Sequence, residues 1–318
     1  MAPAPVALDT PFHNAADTDW ARAANRRWIA AALASPPAVD VSVLDTIEQI
    51  DAVVETARSS SWHDASVAER RRLLHAAADV MERGRARTTL ALMAHDAAKT
   101  VAEGDPEVSE AIDFARWAAV TIPGAGEVPL PAGARFEPLG TVVVASPWNF
   151  RTRSPPVVCA PRSPPGTAAI LKPAPEVRTV ALHLARQLWA AGVPVDALQY
   201  VACPDDEVGR RLVTHPDVDA VVLTGALETA EHFLDWRPSM RLFAETSGKN
   251  AIVITGAADE DLAIRDLCGR RSGTPARSAR PPASRSSKPR CTTTSASGAD
   301  WPMPCAASVS GRRPISRR

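Results

Sequence analysis

Four short polar segments from residue 146 onward each follow directly on an apolar run. They are "SPWN" at 146–149, "KPAP" at 172–175, "TGAL" at 224–227 and "TSGK" at 246–249. Amide, ammonium and hydroxyl groups beside glycine or proline are suited to holding a polar ligand. The chain contains neither GxGxxG nor GxxxxGK[ST], so the two common phosphate-binding loops are absent. The residues alone therefore predict a nucleotide-type pocket and no particular reaction.

The elements that would carry these segments alternate between strand-like and helix-like patterns. The runs "GTVVVASPW", "AAILKPA", "LQYVAC", "DAVVLTG" and "NAIVITG" are short and apolar. The intervening stretches "VRTVALHLARQLWAAG", "DEVGRRLVTH" and "ALETAEHFLDW" are helical. This alternation predicts an α/β fold with a parallel sheet that is covered on both faces. Ligands of such sheets bind at the carboxyl ends of the strands, which is where the four polar segments lie.

The first 120 residues have a helical pattern. Residues 1–40 form an Ala/Pro-rich N-terminal extension with one short helix at "ANRRWIAAAL", and from about 43 apolar residues recur at helical spacing. Ser66, with Glu69 three residues later, predicts a capping box. A third helix is predicted at "EVSEAIDFARWAAVTI". We expect a helical layer that packs on another part of the protein and has no catalytic role of its own.

The charge composition of the chain changes near residue 268. Residues 268–318 hold ten Arg, one Lys and one Asp, whereas the preceding residues hold 25 basic and 35 acidic side chains. This basic tail contains seven Pro and no Leu, Phe or Tyr. It cannot bury enough apolar surface to offset the entropy of ordering it, so we expect it to be disordered.

Composition also excludes several classes of protein. The chain has no apolar run of 18 residues and no basic-then-apolar leader, so we expect no membrane span and a cytoplasmic location. Its five cysteines have scattered spacings, which favours neither a disulfide framework nor a zinc site. The seven histidines show no metal-binding spacing.

A family resemblance rests on four strings that occur in order: "PWNF", "ILKPAPE", "VVLTG" and "FAETSGKNA". With their spacings from Asn149 to Lys172, Thr224 and Glu245, they resemble the aldehyde dehydrogenase superfamily. Further strings, "PFHNAADTDWARAANRRWI" and "EGDPEVSEAIDFARWAA", are similar to the glutamate-semialdehyde (pyrroline-5-carboxylate) dehydrogenases. They most resemble the aldehyde dehydrogenase half of bifunctional proline-utilisation proteins. The resemblance covers roughly 10–150 and 170–267.

The resemblance implies a Rossmann-like NAD-binding domain that, with the helical layer, spans 41–267, and NAD as the cofactor. It implies NAD-dependent oxidation of L-glutamate 5-semialdehyde to L-glutamate in proline catabolism. In that reaction a cysteine thiolate attacks the aldehyde, hydride passes to the nicotinamide, and water activated by a carboxylate cleaves the thioester. The implied partner is thus a small-molecule aldehyde.

The same resemblance assigns individual residues. Asn149 matches the oxyanion-hole amide and Glu245 the general base, whereas local sequence alone favours a helix cap and a surface carboxylate. Lys172 matches the lysine that binds the adenosine ribose. The other implied cofactor-binding positions are Ser146, Pro147, Trp148, Gly209, Thr224, Gly225 and Ala226. Many family members have Ser at the position of Ala226.

The resemblance fails at 151–169 and after 267. The first segment holds Pro155, Pro156, Pro161, Pro164 and Pro165, where the family has a crossover helix. A one-base shift of reading frame explains both departures. After Phe150 the codons also permit "PYAIPPGGVRAALAAGNG", and after Leu267 they permit a segment containing "GQKCSA", whose cysteine would stand at Ala279.

The frame shift predicts an inactive chain. None of the five cysteines matches the nucleophile, and Cys203, which ends a strand, is expected to be a buried structural thiol. The tail 268–318 would replace the catalytic domain and the C-terminal strand that the family uses to oligomerise. A second reading is a non-catalytic NAD-binding remnant. A third, nucleic-acid binding through the basic tail, is disfavoured because slipped reading of a GC-rich gene yields Arg, Pro, Ala and Ser anyway.

Overall fold

A computed structural model describes residues 12–121, 139–147, 167–246 and 254–265. The chain divides into two compact units, Met1–Lys249 and Asn250–Arg318. Within the second unit, the described residues include a short helical stretch at 260–265. The predicted disorder of the tail 268–318 lies outside the described residues. All elements named below belong to the first unit.

Five strands of the described residues form one fully parallel sheet in the order β3-β2-β1-β4-β5. The strands are β1 (Thr141–Ser146), β2 (Ala168–Pro173), β3 (Leu198–Tyr200), β4 (Ala220–Gly225) and β5 (Leu242–Thr246). This order is that of a doubly wound α/β fold, in which the chain leaves β1 in one direction and returns to β1's other side through β4. The predicted fold class is therefore confirmed. Residues 254–256 of the predicted strand "NAIVITG" lie outside any strand.

Helices cover both faces of the sheet. The helices after β2, β3 and β4 are α6 (Arg178–Ala190), α7 (Glu207–Thr214) and α8 (Leu227–Trp236). Successive side chains of a strand point to opposite faces, so Val142 and Val144 pack into one core cluster with residues of α6. Val143 and Ala145 pack into a second cluster with residues of α7 and α8. Strands buried on both sides explain why the predicted runs are continuously apolar.

The helices before the sheet are divided between the same two faces. They are α1 (Ala23–Ala34), α2 (Ile47–Arg58), α3 (Val67–Gly84), α4 (Ala91–Ala97) and α5 (Val101–Thr121). Ile50 and Val54 of α2 belong to the cluster with α7 and α8, whereas residues of α1, α3, α4 and α5 belong to the cluster with α6. The expected single helical layer is therefore wrong for α2. Arg85–Leu90 between α3 and α4 form a turn of π-helix.

Two local predictions need correction. At Ser66 the hydroxyl accepts from the Glu69 amide at 3.1 Å, but both reciprocal bonds of a capping box occur at Thr46 and Gln49 instead. The third predicted helix begins earlier, at Val101, and includes Pro106. The Thr100 amide and hydroxyl donate to the Glu103 carboxylate at 3.2 and 2.9 Å, which stabilises this earlier start.

The N-terminal extension is fastened to α5 through two carboxylates. Asp105 accepts from the Thr18 amide at 2.6 Å and the Thr18 hydroxyl at 2.8 Å. Its other bond comes from Arg85 Nη1 at 3.1 Å, and the Arg85 and Asp105 side chains are 8% and 1% exposed. Asp113 accepts from the Asn14 side chain at 2.7 Å and from the Ala15 amide at 2.6 Å. The described part of the extension is thus an integral part of the first unit.

Candidate cofactor site

The strand register brings the predicted site residues to one edge of the sheet. Ala145 of β1 lies opposite both Lys172 of β2 and Leu223 of β4, and Thr224 lies opposite Glu245 of β5. Ala145, Lys172, Thr224 and Glu245 are each the second-last residue of their strand, so their side chains share the carboxyl edge. Neighbouring strands are about 4.8 Å apart, which puts the backbones at Lys172 and Glu245 about 14 Å apart. A ligand that reaches both must extend across the sheet.

The centre of this edge lies where the chain direction reverses, between β1 and β4. Ser146 and Pro147, at the end of β1, are both buried. Crevices at such reversal points are where open α/β sheets bind their ligands. Trp148 and Asn149 lie outside the described residues, so their predicted roles stay predictions. Residues 151–166 of the crossover that was predicted to lack its helix also lie outside the described residues, whereas Ala168 and Ala169 belong to β2.

Lys172 is the most enclosed charged side chain among the predicted residues. Its side chain is 11% exposed, and its Nζ donates to Asp205 Oδ1 at 2.5 Å, whereas the Asp205 side chain is 60% exposed. Lys172 alternates with Ala168 and Ile170, so it lies on the face covered by α2 and α7. The ammonium is thus held at the carboxyl edge with one side towards solvent.

Asp205 was not identified from the sequence. It follows β3, the strand next to β2, so the sheet order brings it beside Lys172 although 33 positions separate the two residues. The only signal in the sequence was the acidic run "DDE" after a strand-like segment. Such a run normally indicates a helix N-terminus, which is the role of Asp206, whose carboxylate accepts from the Val208 amide at 2.9 Å.

Gly209 permits the close approach that forms one wall of this site. A Cβ at this position would lie 2.5 Å from the backbone oxygen of Pro204 and 3.7 Å from Cε of Lys172. Any larger residue would therefore push α7 away from the loop after β3. Gly209 therefore lies beside Lys172, and its predicted role in cofactor binding stays a prediction.

The turn after β4 presents the beginning of a helix to the same edge. Thr224 and Gly225 end β4, and Ala226 is the N-cap of α8 without a side-chain bond to the helix. The first amides of a helix have no partner within it and favour negatively charged groups. Because α8 follows β4 directly, its first amides lie at the carboxyl edge beside the reversal point. Alanine at 226 supplies no hydroxyl for an additional contact.

Glu245 and Cys203 are separated by the full width of the sheet, because β5 and β3 are its two outermost strands. Glu245 is exposed in β5, whereas Cys203 follows β3 and is 1% exposed, with its thiol pKa raised chiefly by burial. Four strand spacings separate β3 from β5, which is about 19 Å. Cys203 is therefore a buried thiol, as predicted, and cannot attack a substrate that Glu245 serves.

In the described parts of the chain, no group of three or more His, Cys, Asp or Glu side chains is arranged so as to hold a metal ion. Within the same residues, no helix combines the length and the hydropathy needed to cross a membrane.

The strand order and this polar carboxyl edge define a doubly wound α/β protein. The sequence matches the model of the aldehyde dehydrogenase family over residues 38–273, so the chain belongs to that family. The predicted family resemblance is thereby confirmed.

Individual relatives refine the comparison. The chain is 29% identical over 228 residues to 1-pyrroline-5-carboxylate dehydrogenase 1 of Halalkalibacterium halodurans, covering 65% of this chain and 43% of the relative. It is 27% identical over 236 residues to an NADP⁺-dependent D-glyceraldehyde dehydrogenase of Thermoplasma acidophilum, covering 70% and 47%. The structure of proline utilization A from Corynebacterium freiburgense matches with a TM-score of 0.73 and 40% identity, covering 84% of this chain and 26% of that one.

The chain spans less than half the length of these curated relatives. A cofactor of the NAD(P) class follows from the family. Family membership alone does not determine the particular cofactor, the substrate or the roles of individual residues.

Proposed function

We propose that this chain is the cofactor-binding part of an NAD-dependent aldehyde dehydrogenase whose substrate is L-glutamate 5-semialdehyde, and that the chain itself does not catalyse the oxidation. The observation that carries the proposal is the common carboxyl edge on which Lys172, Thr224 and Glu245 lie. The substrate is supported by relatives named 1-pyrroline-5-carboxylate dehydrogenase and proline utilization A, the latter at 40% identity. Both names point to proline catabolism.

The described residues fit a dinucleotide laid along this edge. Lys172 would hydrogen-bond the adenosine ribose beside Gly209, whose lack of a side chain lets the loop at Pro204 and the Lys172 stem pack closely against α7. The N-terminus of α8, after Thr224 and Gly225, would face the pyrophosphate. Ser146, Pro147 and Trp148 would line the same cleft. The nicotinamide, when bound, supplies the hydride acceptor of the reaction.

Two further residues would serve the aldehyde. The Asn149 amide would donate to the oxygen that gains negative charge, and loss of such a donor typically lowers kcat by about 10²–10³. The Glu245 carboxylate, exposed to solvent, would take a proton from water. Neither group replaces a nucleophile, because hydride can leave an aldehyde carbon only after that carbon becomes tetrahedral.

The missing nucleophile is the reason to expect no turnover. Cys203 is buried just after β3, the strand furthest from Glu245 in the sheet. The other four cysteines lie in the two segments where the resemblance fails: Cys159, Cys268, Cys291 and Cys305. The proposal therefore separates binding from catalysis, in the manner of a non-catalytic NAD-binding remnant.

Calorimetric titration of the full 318-residue chain with NAD⁺ tests the binding part. We expect saturable binding that the Lys172→Met variant weakens by about tenfold or more, since a charged hydrogen bond contributes roughly 1.5–3 kcal/mol. Arg58→Met removes an equal charge from the exposed end of α2 and serves as the matched control. Absence of saturable binding would contradict the cofactor assignment.

The catalytic part needs a separate assay with the same preparation. NADH formation from L-glutamate 5-semialdehyde is expected to equal that of the blank without protein. Formation above the blank, abolished by Glu245→Gln, would show that this chain is an active dehydrogenase.

A further inference from the structure

We propose that Asp205 makes this site selective for a ribose with a free 2′-hydroxyl, and so for NAD⁺ over NADP⁺. The inference rests on the proposed function, because it requires the adenosine ribose to lie beside Lys172. It concerns a residue that the sequence patterns did not single out. Its basis is the pair formed by Lys172 Nζ and Asp205 Oδ1 at 2.5 Å.

The Lys172–Asp205 pair determines which hydrogen-bonding groups a ligand needs at this point. The Lys172 side chain is 11% exposed, its stem lies against Gly209, and its ammonium donates to Asp205. The Asp205 side chain is 60% exposed and presents its carboxylate to solvent. Any ligand atom that accepts a hydrogen bond from the ammonium therefore lies within a few ångströms of the carboxylate.

A ribose diol satisfies both members of the pair. A hydroxyl both donates and accepts, so one ribose hydroxyl can accept from Lys172 while the same or the neighbouring one donates to Asp205. An acidic residue that hydrogen-bonds the 2′-hydroxyl is a general feature of NAD-binding α/β folds, whereas an arginine there accommodates the 2′-phosphate.

A 2′-phosphate satisfies only one member. It carries about −1.5 to −2 charges at neutral pH and offers acceptors only, so it has no donor for Asp205 and is repelled by it. The attraction to Lys172 is already offset by the carboxylate at 2.5 Å. Asp206 follows directly and adds negative charge at the same end of α7.

The guanidinium next to this site does not reverse the balance. Arg178 Nη2 donates to the backbone oxygen of Cys203 at 3.1 Å, which holds the guanidinium against the chain.

The test compares two pairs of ligands in calorimetric titrations of the full chain. One pair is NAD⁺ and NADP⁺, and the other is 5′-AMP and adenosine 2′,5′-bisphosphate, which places the effect at the adenosine ribose. We expect the 2′-phosphorylated ligand of each pair to bind at least about tenfold more weakly, given the charges and the short distance. Asp205→Asn should reduce this ratio at least about fivefold, mainly by tightening the phosphorylated ligand.

Three controls make the result specific. Glu207→Gln changes net charge equally but leaves the lysine pair intact, and should keep the wild-type ratio within about twofold. Asp205→Glu retains the charge and should retain the preference. Should Asp205→Asn not fold, Asp205→Ser carries the same comparison.

The possible failures are distinguishable. A ratio that Asp205→Asn leaves unchanged, or a wild-type chain that binds NADP⁺ as tightly as NAD⁺, overturns the selectivity and leaves the proposed function standing. A chain that binds neither dinucleotide overturns both.

Discussion

Replacing Asp105 by alanine should remove a large fraction of the stability of this protein. The Asp105 carboxylate is 1% exposed and accepts from Arg85 Nη1 at 3.1 Å and from the Thr18 amide and hydroxyl at 2.6 and 2.8 Å. Alanine would leave the Arg85 guanidinium, 8% exposed, with its bond to Ser109 Oγ at 2.8 Å but without its direct ion pair.

The magnitude follows from what remains buried. Removing one partner of a buried ion pair costs about 3–5 kcal/mol, because the other charge stays desolvated. A protein of this size has a free energy of unfolding of about 5–15 kcal/mol. With roughly 2–4 °C lost per kcal/mol, the Tm of Asp105→Ala should fall by about 6–20 °C.

Urea unfolding monitored by circular dichroism measures the loss, and Asp113→Ala is the matched control. Asp113 holds the same N-terminal segment through Asn14 and Ala15, but at a half-buried position without a buried cation. We expect its replacement to cost about 0.5–1.5 kcal/mol per lost hydrogen bond. A double variant, Arg85→Met with Asp105→Leu, should recover much of the loss because no buried charge remains.

Equal, small losses in Asp105→Ala and Asp113→Ala would refute the reasoning, since the buried pair would then contribute no more than two hydrogen bonds near the surface. Failure of the double variant to recover stability would show that packing around Arg85, and not its charge, decides the effect.

Two further predictions concern pH and backbone conformation. Burial lowers the pKa of His183 from 6.5 to about 4, so between these values the unfolded chain binds a proton that the folded chain does not, and stability should fall by up to about 3 kcal/mol as the pH decreases from 6.5 to 4. In His183→Gln this part of the pH dependence, measured by urea unfolding, should disappear, and an unchanged slope would contradict the assignment. Gly140→Ala should lower stability by roughly 1–3 kcal/mol, because φ is 81° and a Cβ would lie 2.1 Å from Asp219 Oδ2. Gly256→Ala, where a Cβ has open space, is the control, and similar losses in both variants would count against the steric argument.

Much of the sheet was predictable because its strands are buried on both faces. A residue such as Val143, 0% exposed between two helical layers, must be apolar whatever its neighbours are, so the run around it indicates a strand by itself. The helices α6 to α8 were predicted for the same reason, from one apolar stripe each. The short β3 was recognisable only as part of a longer apolar run, since Val201 is buried beyond the strand's end.

Features that depend on distant pairs were not predictable. Asp105 and Arg85 read as ordinary charged residues of helices, and only the fold shows that they are buried together. Likewise, Asp205 contacts Lys172 only because β3 lies next to β2 in the sheet, which the sequence does not show. The position of α2 on the opposite face of the sheet from α3 could not be predicted either. The pattern of an amphipathic helix shows which of its own sides is buried, but not against which face of the sheet.

The strand register has a consequence for how the chain folds and how it tolerates change. Val142 pairs with Ala169, 27 positions further on, and with Ala220, 78 positions further on. The entropy cost of closing a loop rises only with the logarithm of its length, so the second closure costs about 1 kcal/mol more than the first. The closure cost of pairing β1 with β2 is therefore only weakly sensitive to the number of residues in the connection. Insertions or deletions of several residues between the two strands should leave their register intact, as long as the connection can span the distance.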